Sequence, residues 1–209
     1  ENSPTPTNLY TFVDHAQVYT IKVNGKETQA EIINGYATID RKWSKGDEVE
    51  LSLPMGVRRV KANDNVEDDR GKLALERGPL MYCIEGVDQK DSTVFNKFIL
   101  QKTTINANYD KNLLGGVVTL SGVAKQVEED GDVTDVTFRA IPYATWCNRG
   151  SNQMEVWIPQ SPVYTHPTQI STIASRARML TYQSAIQKDA PESAAVESET
   201  YGVNDQWEP

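Results

Sequence analysis

The chain has 209 residues, 38% of them hydrophobic and 24% charged, with a formal net charge of -8. That length and balance suit one large folded domain or two small ones and exclude a disordered polyelectrolyte. An acidic chain does not gather phosphate backbones, so nucleic acid is excluded as the expected partner. No apolar run approaches the roughly 20 residues of a membrane-spanning helix.

Taken in order, residues 1–8 are a polar, Pro-rich lead-in, and the first residue is Glu1 where a start Met would stand. With no signal peptide, the chain reads as a processed product or a piece of something longer. Leu9 to Val13 is predicted to be a short strand. Val18 to Val23 alternates, and Asn24-Gly25 after it is a strong hairpin signal. Ile32-Ile33 meets a second Asn-Gly at Asn34-Gly35. Tyr36 to Trp43 alternates again, Lys45-Gly46-Asp47 turns, and Val49, Leu51 and Leu53 share one face of a strand ended by Pro54. These first residues form a meander with an apolar face but too little to bury a core alone, so strands from elsewhere are expected to complete the sheet.

The strongest strand signals lie in Val57 to Asp88. Arg58-Arg59-Val60-Lys61 is the one dense basic patch, and alternation splits it between two faces as solvated rim charges. Asp69-Arg70-Gly71 turns, Lys72 to Leu75 is a strand, and Glu76-Arg77-Gly78-Pro79 turns again. Leu80 to Ile84 is apolar on both faces, the mark of a buried central strand. Phe95 to Leu100 reads as a strand, Gln101 to Asn112 as polar and irregular, and Val117 to Val123 as an apolar strand. Glu128 to Asp132 is an acidic turn without the spacing or terminal Glu of a calcium loop. Val133 to Ala140 alternates strictly, Ile141 to Trp146 continues extended, Asn148-Arg149-Gly150 turns, and Met154 to Ile158 closes the series.

Short strands with Gly and Asn turns every 8–12 residues or so predict an all-β fold, an antiparallel β-sandwich or barrel. Beyond Pro159, Ser161-Pro162 and His166-Pro167 mark a linker, Ile173 to Lys188 is a weakly amphipathic helix, and Ala190 to Thr200 is acidic and low in complexity. Cys83 and Cys147 sit in apolar, strand-like contexts and read as buried free thiols. A disulfide between them stays open, provided their strands are neighbours.

Seven segments stand in an order and spacing that resemble the C-terminal β-sandwich region of glycoside hydrolase family 127, the β-L-arabinofuranosidase-like enzymes. They are Val23-Asn24-Gly25-Lys26; Asn34 to Ala37 with Arg41 to Asp47; Leu53-Pro54-Met55 with Val57 to Val60; Asp69-Arg70-Gly71-Lys72; Arg77-Gly78-Pro79-Leu80 with Tyr82-Cys83; Leu113 to Val117; and Ala140 to Tyr143 with Trp146 and Asn148-Arg149-Gly150. The resemblance covers about residues 9 to 160. It implies a jelly-roll-like arrangement, with residues 1–56 as the last strands of one sandwich, 57–160 as a second and complete sandwich, and 161–209 as a linker and the start of a further module. It also implies an (α/α)6 barrel elsewhere in the parent chain that carries a cysteine nucleophile, a zinc ion and a glutamate. None of these maps onto this sequence, so catalytic, cofactor-binding and metal residues are all expected to be absent here. The implied partners are that barrel, a second copy of the chain and glycans; the implied address is periplasmic or secreted.

The candidate site is then a surface one. Tyr143 and Trp146 offer aromatic faces for a sugar ring, and Asn148 and Arg149 offer hydrogen bonds to hydroxyls; the competing reading packs the rings between sheets and leaves Asn148-Arg149-Gly150 as a turn. Glycosidases need two carboxylates on a concave surface. Glu76, Glu85 and Glu155, beside strands, are the ones to inspect. His15 and His166 lie far apart in loop-like contexts.

Overall fold

A computed structural model describes residues 9–14, 19–165 and 173–189. Its strands are β1 (Tyr10–Phe12), β2 (Thr20–Val23), β3 (Lys26–Glu27), β4 (Glu31–Ile33), β5 (Tyr36–Thr38), β6 (Val49–Ser52), β7 (Val57–Ala62), β8 (Lys72–Arg77), β9 (Leu80–Glu85), β10 (Lys97–Phe98), β11 (Asn106–Asp110), β12 (Val117–Val127), β13 (Val133–Pro142), β14 (Met154–Glu155) and β15 (Ile158–Pro159). One helix, α1 (Ile173–Asp189), follows. All the pairings are antiparallel. The all-β antiparallel reading therefore stands. The main sheet runs β1-β7-β8-β9-β13-β12-β10 in one curled path, with β11 on β12, β14 on β9 and β15 on β8. That path does not trace the two facing sheets of a jelly roll.

The two Asn-Gly pairs act as their chemistry requires. Asn24 and Gly25 have φ of 52° and 74°, and Asn34 and Gly35 have 51° and 85°. Two successive positive φ values are the hairpin turn that matches strand twist. The first joins β2 to β3 and the second β4 to β5. The apolar face beside them is open to solvent: Val49, Leu51 and Leu53 are 52%, 55% and 65% exposed, and Ile32, Ile33, Tyr36 and Trp43 are exposed too.

β8 and β9 pair at only two positions, Glu76 with Met81 and Arg77 with Leu80. Beyond these the strands part, and residues 154–159 fill the opening. Met154 and Glu155 pair with Glu85 and Ile84 on one side, and Ile158 and Pro159 with Leu73 and Lys72 on the other. The single closing strand expected from Met154 to Ile158 is thus two short strands, because the segment changes partner halfway. The far end of the sheet curls back to the same place: the Ile99 N–H donates to the Pro159 carbonyl at 2.8 Å. Inside the curl lie Leu75, Tyr82, Ile84, Val94, Ile99, Leu120, Phe138 and Ile158. Gly122, opposite Phe138, makes room for that ring; a Cβ there would lie 2.6 Å from the Thr104 carbonyl oxygen and 3.0 Å from the ring.

Other expectations need correcting. Residues 101–112 are not irregular throughout: β11 forms a five-pair ladder with β12. Its sequence, Asn-Ala-Asn-Tyr-Asp, alternates only Ala107 and Tyr109 with polar residues that disfavour strands, and nearly all of it is exposed, so the period is too faint to mark it. Phe95 to Leu100 shrinks to the two residues of β10. β13 ends at Pro142, and Tyr143–Thr145 turns as a 3-10 helix, held by the Thr145 hydroxyl donating to the Pro142 carbonyl at 2.7 Å. Ser161-Pro162 is no free linker. Ser161, Pro162 and Thr165 are buried around a 3-10 turn, Pro162–Tyr164, whose Tyr164 ring lies so close to Gly71 that a Cβ there would come within 2.1 Å. Arg58 and Arg59 are not solvated: Arg58 donates to Glu76 at 2.9 Å and stacks over Phe12, while Arg59 binds Asp14 at 2.8 Å and the Thr103 carbonyl. Helix α1 does form and rests on the sheet, with Met179, Tyr182 and Ile186 against Phe98, Val127, Leu100 and Val133. His15, His166 and the segment from residue 190 onward lie outside the described residues.

Phe138 is the central filler of the curl. Replacing it with Ala should lower stability by about 3–5 kcal/mol, the cost of emptying a large buried aromatic position; equilibrium urea unfolding checks this.

Candidate functional site

The loop after β13 is held from below by a buried charge network. β9 ends at Glu85, whose side chain is fully buried. The chain then turns through the 3-10 segment Gly86–Asp88. Arg149 crosses over both. Its guanidinium forks onto Asp88 with bonds of 2.8 and 2.5 Å and reaches Glu85 at 2.5 Å. The other Glu85 oxygen accepts the Cys147 N–H at 2.8 Å and the Asn152 amide at 3.3 Å. Two buried carboxylates would be costly alone; a planar, always-charged fork satisfies them together. Gln89 braces the base, donating to the Glu85 and Arg139 carbonyls.

This network places the four candidate residues. Tyr143 and Trp146 stack with centroids 6.4 Å apart and planes 19° apart. Tyr143 is 43% exposed and Trp146 half-buried. Asn148 is exposed and its amide donates to the Thr145 carbonyl at 3.1 Å. Arg149 is brought to the same loop, but both its terminal nitrogens serve the network below. The loop thus presents two rings and an amide, with the arginine spent on positioning them.

The cysteines meet expectation in all but the exposure of Cys147. Both are free thiols. Cys83 is buried, and burial, with the Glu85 and Asp88 charges nearby, pushes its thiol up to about 12. Cys147 is exposed, because it sits not in a strand but in the turn after Trp146, with φ of 62°.

The three carboxylates also have structural settings. Glu76 is paired with Arg58, and Glu85 with Arg149. Glu155 sits on the wedge segment, with its Oε2 buried and without a hydrogen-bond partner among the described residues. Burial raises its carboxyl from 4.5 to about 8, Lys72 pulling the other way. Among the described residues no group of three or more His, Cys, Asp or Glu is placed to hold a metal, and no helix is long and apolar enough to cross a membrane.

A second feature escaped sequence reasoning. A groove of about 620 Å³ crosses β11, β12 and β13. Its floor is the sheet face opposite the core: Leu120 and Phe138 point inward, so Thr119, Ser121, Thr137 and Arg139 point outward. The polar alternation of Thr119-Ser121 and Thr137-Arg139 was the signal available for it.

Such a curled antiparallel sheet, with an aromatic loop at one end and a polar groove on its back, defines an all-β antiparallel domain. The particular family is defined by comparison: residues 57–159 match the glycoside hydrolase family 127 C-terminal domain, and residues 11–55 match the β-L-arabinofuranosidase GH127 middle domain. The chain belongs to glycoside hydrolase family 127. It is 32% identical over 154 residues to a non-reducing end β-L-arabinofuranosidase of Bifidobacterium longum subsp. longum, covering 66% of this chain and 23% of that protein. The crystal structure of a GH127 β-L-arabinofuranosidase from Geobacillus stearothermophilus T6 superimposes with a TM-score of 0.64 at 38% identity, over 68% of this chain and 24% of that one. A second GH127 β-arabinofuranosidase gives 0.71 at 36% identity, over 77% and 26%. The chain therefore spans about a quarter of the length of these relatives.

Two outcomes follow from the buried charges. Arg149→Met leaves Glu85 and Asp88 uncompensated and should cost about 3–5 kcal/mol in chemical denaturation; Arg149→Lys, lacking the fork, should recover only part of it. Glu155 binds a proton in the folded state that the unfolded chain releases near 4.5. Its contribution to stability is full below that pH and lost as pH rises toward about 8. Melting temperature should fall across this window, and Glu155→Gln should flatten the fall.

Proposed function

We propose that this chain is a non-catalytic β-sandwich part of a β-L-arabinofuranosidase-like glycoside hydrolase acting on plant polysaccharides. Its work there is to buttress a catalytic (α/α)6 barrel carried by the same parent chain, or to join two copies of that parent. Residues up to about 56 serve as the last strands of a first sandwich, 57–160 as a second, and 161–209 as a connection, packed on the sheet through Pro162–Tyr164 and α1, that leads into another module. The parent's address is periplasmic or secreted, where polysaccharide is met.

The observation that carries this reading is the uncovered apolar face of β6, Val49, Leu51 and Leu53, with Ile32, Ile33, Tyr36 and Trp43 nearby in the chain. A soluble chain seldom leaves so much large apolar surface open unless something covers it. In support, Glu85 is sealed from solvent and Glu76 is tied to Arg58, so neither is set out to receive a glycosidic bond.

A second reading, a carbohydrate-binding module for arabinose-containing glycans, is favoured by one observation: the Tyr143–Trp146 stack is presented outward on a rigid support. Aromatic faces bury the apolar face of a sugar ring.

Incubation of the purified chain with arabinose-containing oligosaccharides should release no arabinose. Detectable release, persisting after repurification, would overturn the non-catalytic reading.

A further inference from the structure

We propose that the groove across β11, β12 and β13 is a binding site for a neutral, hydroxyl-rich oligosaccharide of the arabinose-containing class. The proposal rests on the glycoside hydrolase reading above for the identity of the sugar, but its geometry is independent of the aromatic loop.

The register builds the groove. Asn108 pairs with Thr119, Asn106 and Arg139 both pair with Ser121, and Thr137 pairs with Val123. Paired residues project from the same face, so one row of polar side chains crosses three strands. With neighbouring strands about 4.8 Å apart, that row is about 10 Å wide, the scale of a short oligosaccharide and not of a single ion. The volume of about 620 Å³ falls within the roughly 300–1,000 Å³ of small-ligand sites.

The lining selects the ligand class. Thr119, Ser121 and Thr137 carry hydroxyls that both donate and accept, Asn108 and Asn112 carry amides that do the same, Asp110 supplies a strong acceptor, and Arg139 and Lys111 supply strong donors. Such a set matches the alternating donor and acceptor of vicinal hydroxyls. The charged groups of both signs, Asp110 against Lys111 and Arg139, are outnumbered by neutral hydroxyls and amides, which suits a neutral polar ligand better than an ion. An apolar peptide is a poor fit too, since the outward side chains from β11, β12 and β13 at the groove are hydroxyl, amide or charged groups. The set is also pre-arranged. The Thr119 hydroxyl donates to the Asn108 carbonyl at 3.2 Å, and the Asp110 carboxylate accepts the Asn112 N–H at 3.0 Å.

Affinity electrophoresis of the whole chain in native gels containing arabinan, with dextran gels as control, tests the site. The chain should be retarded by arabinan and not by dextran. Arg139→Ala, an exposed position, should weaken the apparent affinity about tenfold, the loss expected for one hydrogen-bonded charged group. Thr137→Ala, also exposed, should weaken it as well, and Trp146→Ala should leave it unchanged. Equal mobility in the two gels overturns the proposal, as does retardation lost with Trp146→Ala and kept with Arg139→Ala. Release of arabinose by the chain bears only on the non-catalytic reading, so the two fail separately.

Discussion

The ladder between β8 and β9 lasts two residue pairs and then opens, and most of the structure depends on that opening. Backbone groups left unpaired inside a protein are costly, so the gap has to be filled. Residues 154–159 fill it by pairing with β9 first and β8 second. The same insertion brings the Pro159 carbonyl to Ile99 and so closes the curl around Phe138. It places Asn152 and Gln153 against the turn after β9, where the Gly86 N–H donates to the Gln153 carbonyl at 2.8 Å and Asn152 reaches Glu85. The core, the curl and the charge network under the aromatic loop are therefore one construction. A change in any of them is felt through the wedge.

The alternating segments were legible from the sequence because half-buried strands write a period of two. β2 and β13 were found that way, whereas β9 and β12 showed as apolar runs and the hairpins as Asn-Gly turns. β11 was missed because its five residues are exposed or nearly so, and a strand with little buried side writes only a faint apolar pattern, here Ala107 and Tyr109. Cys147 was misplaced because a neighbouring Trp and Ile-Pro-Tyr run looks apolar in one dimension; only the 3-10 turn after Pro142 shows it leaving the sheet. The candidate loop was legible as a location, since aromatics with Asn-Arg-Gly are conspicuous. The role of Arg149 was not, because its partners Glu85 and Asp88 lie 64 and 61 residues away. The groove was invisible for a similar reason: its residues become neighbours only through the register of three strands.

The two faces of the sheet divide the chemistry. The concave face is apolar and spent on folding. The convex face carries the helix α1 at one end, through Val127 and Phe98, and the hydroxyl row of the groove at the other. One continuous surface thus holds the helix at one end and the polar groove at the other. The first residues of the chain are of another kind: β2 and β6 pair neatly and Ile21 and Val23 of β2 are buried, but Val49 and Leu51 opposite them on β6 are left bare. Correct hydrogen bonding with one strand's apolar residues uncovered is what a sheet edge shows when part of its packing partner lies elsewhere in sequence or in another molecule.

The contrast between the two cysteines has a practical side. One thiol is sealed in the sheet and stays protonated at any working pH; the other stands open in a turn. A thiol-reactive probe added to the folded chain therefore attaches at a single position, immediately after Trp146. The chain comes with its own labelling handle, and a fluorophore placed there sits one residue from an indole whose emission it will quench or accept. Any rearrangement of the loop, by sugar, by a partner domain or by unfolding of the charge network, becomes an optical signal without engineering a new residue.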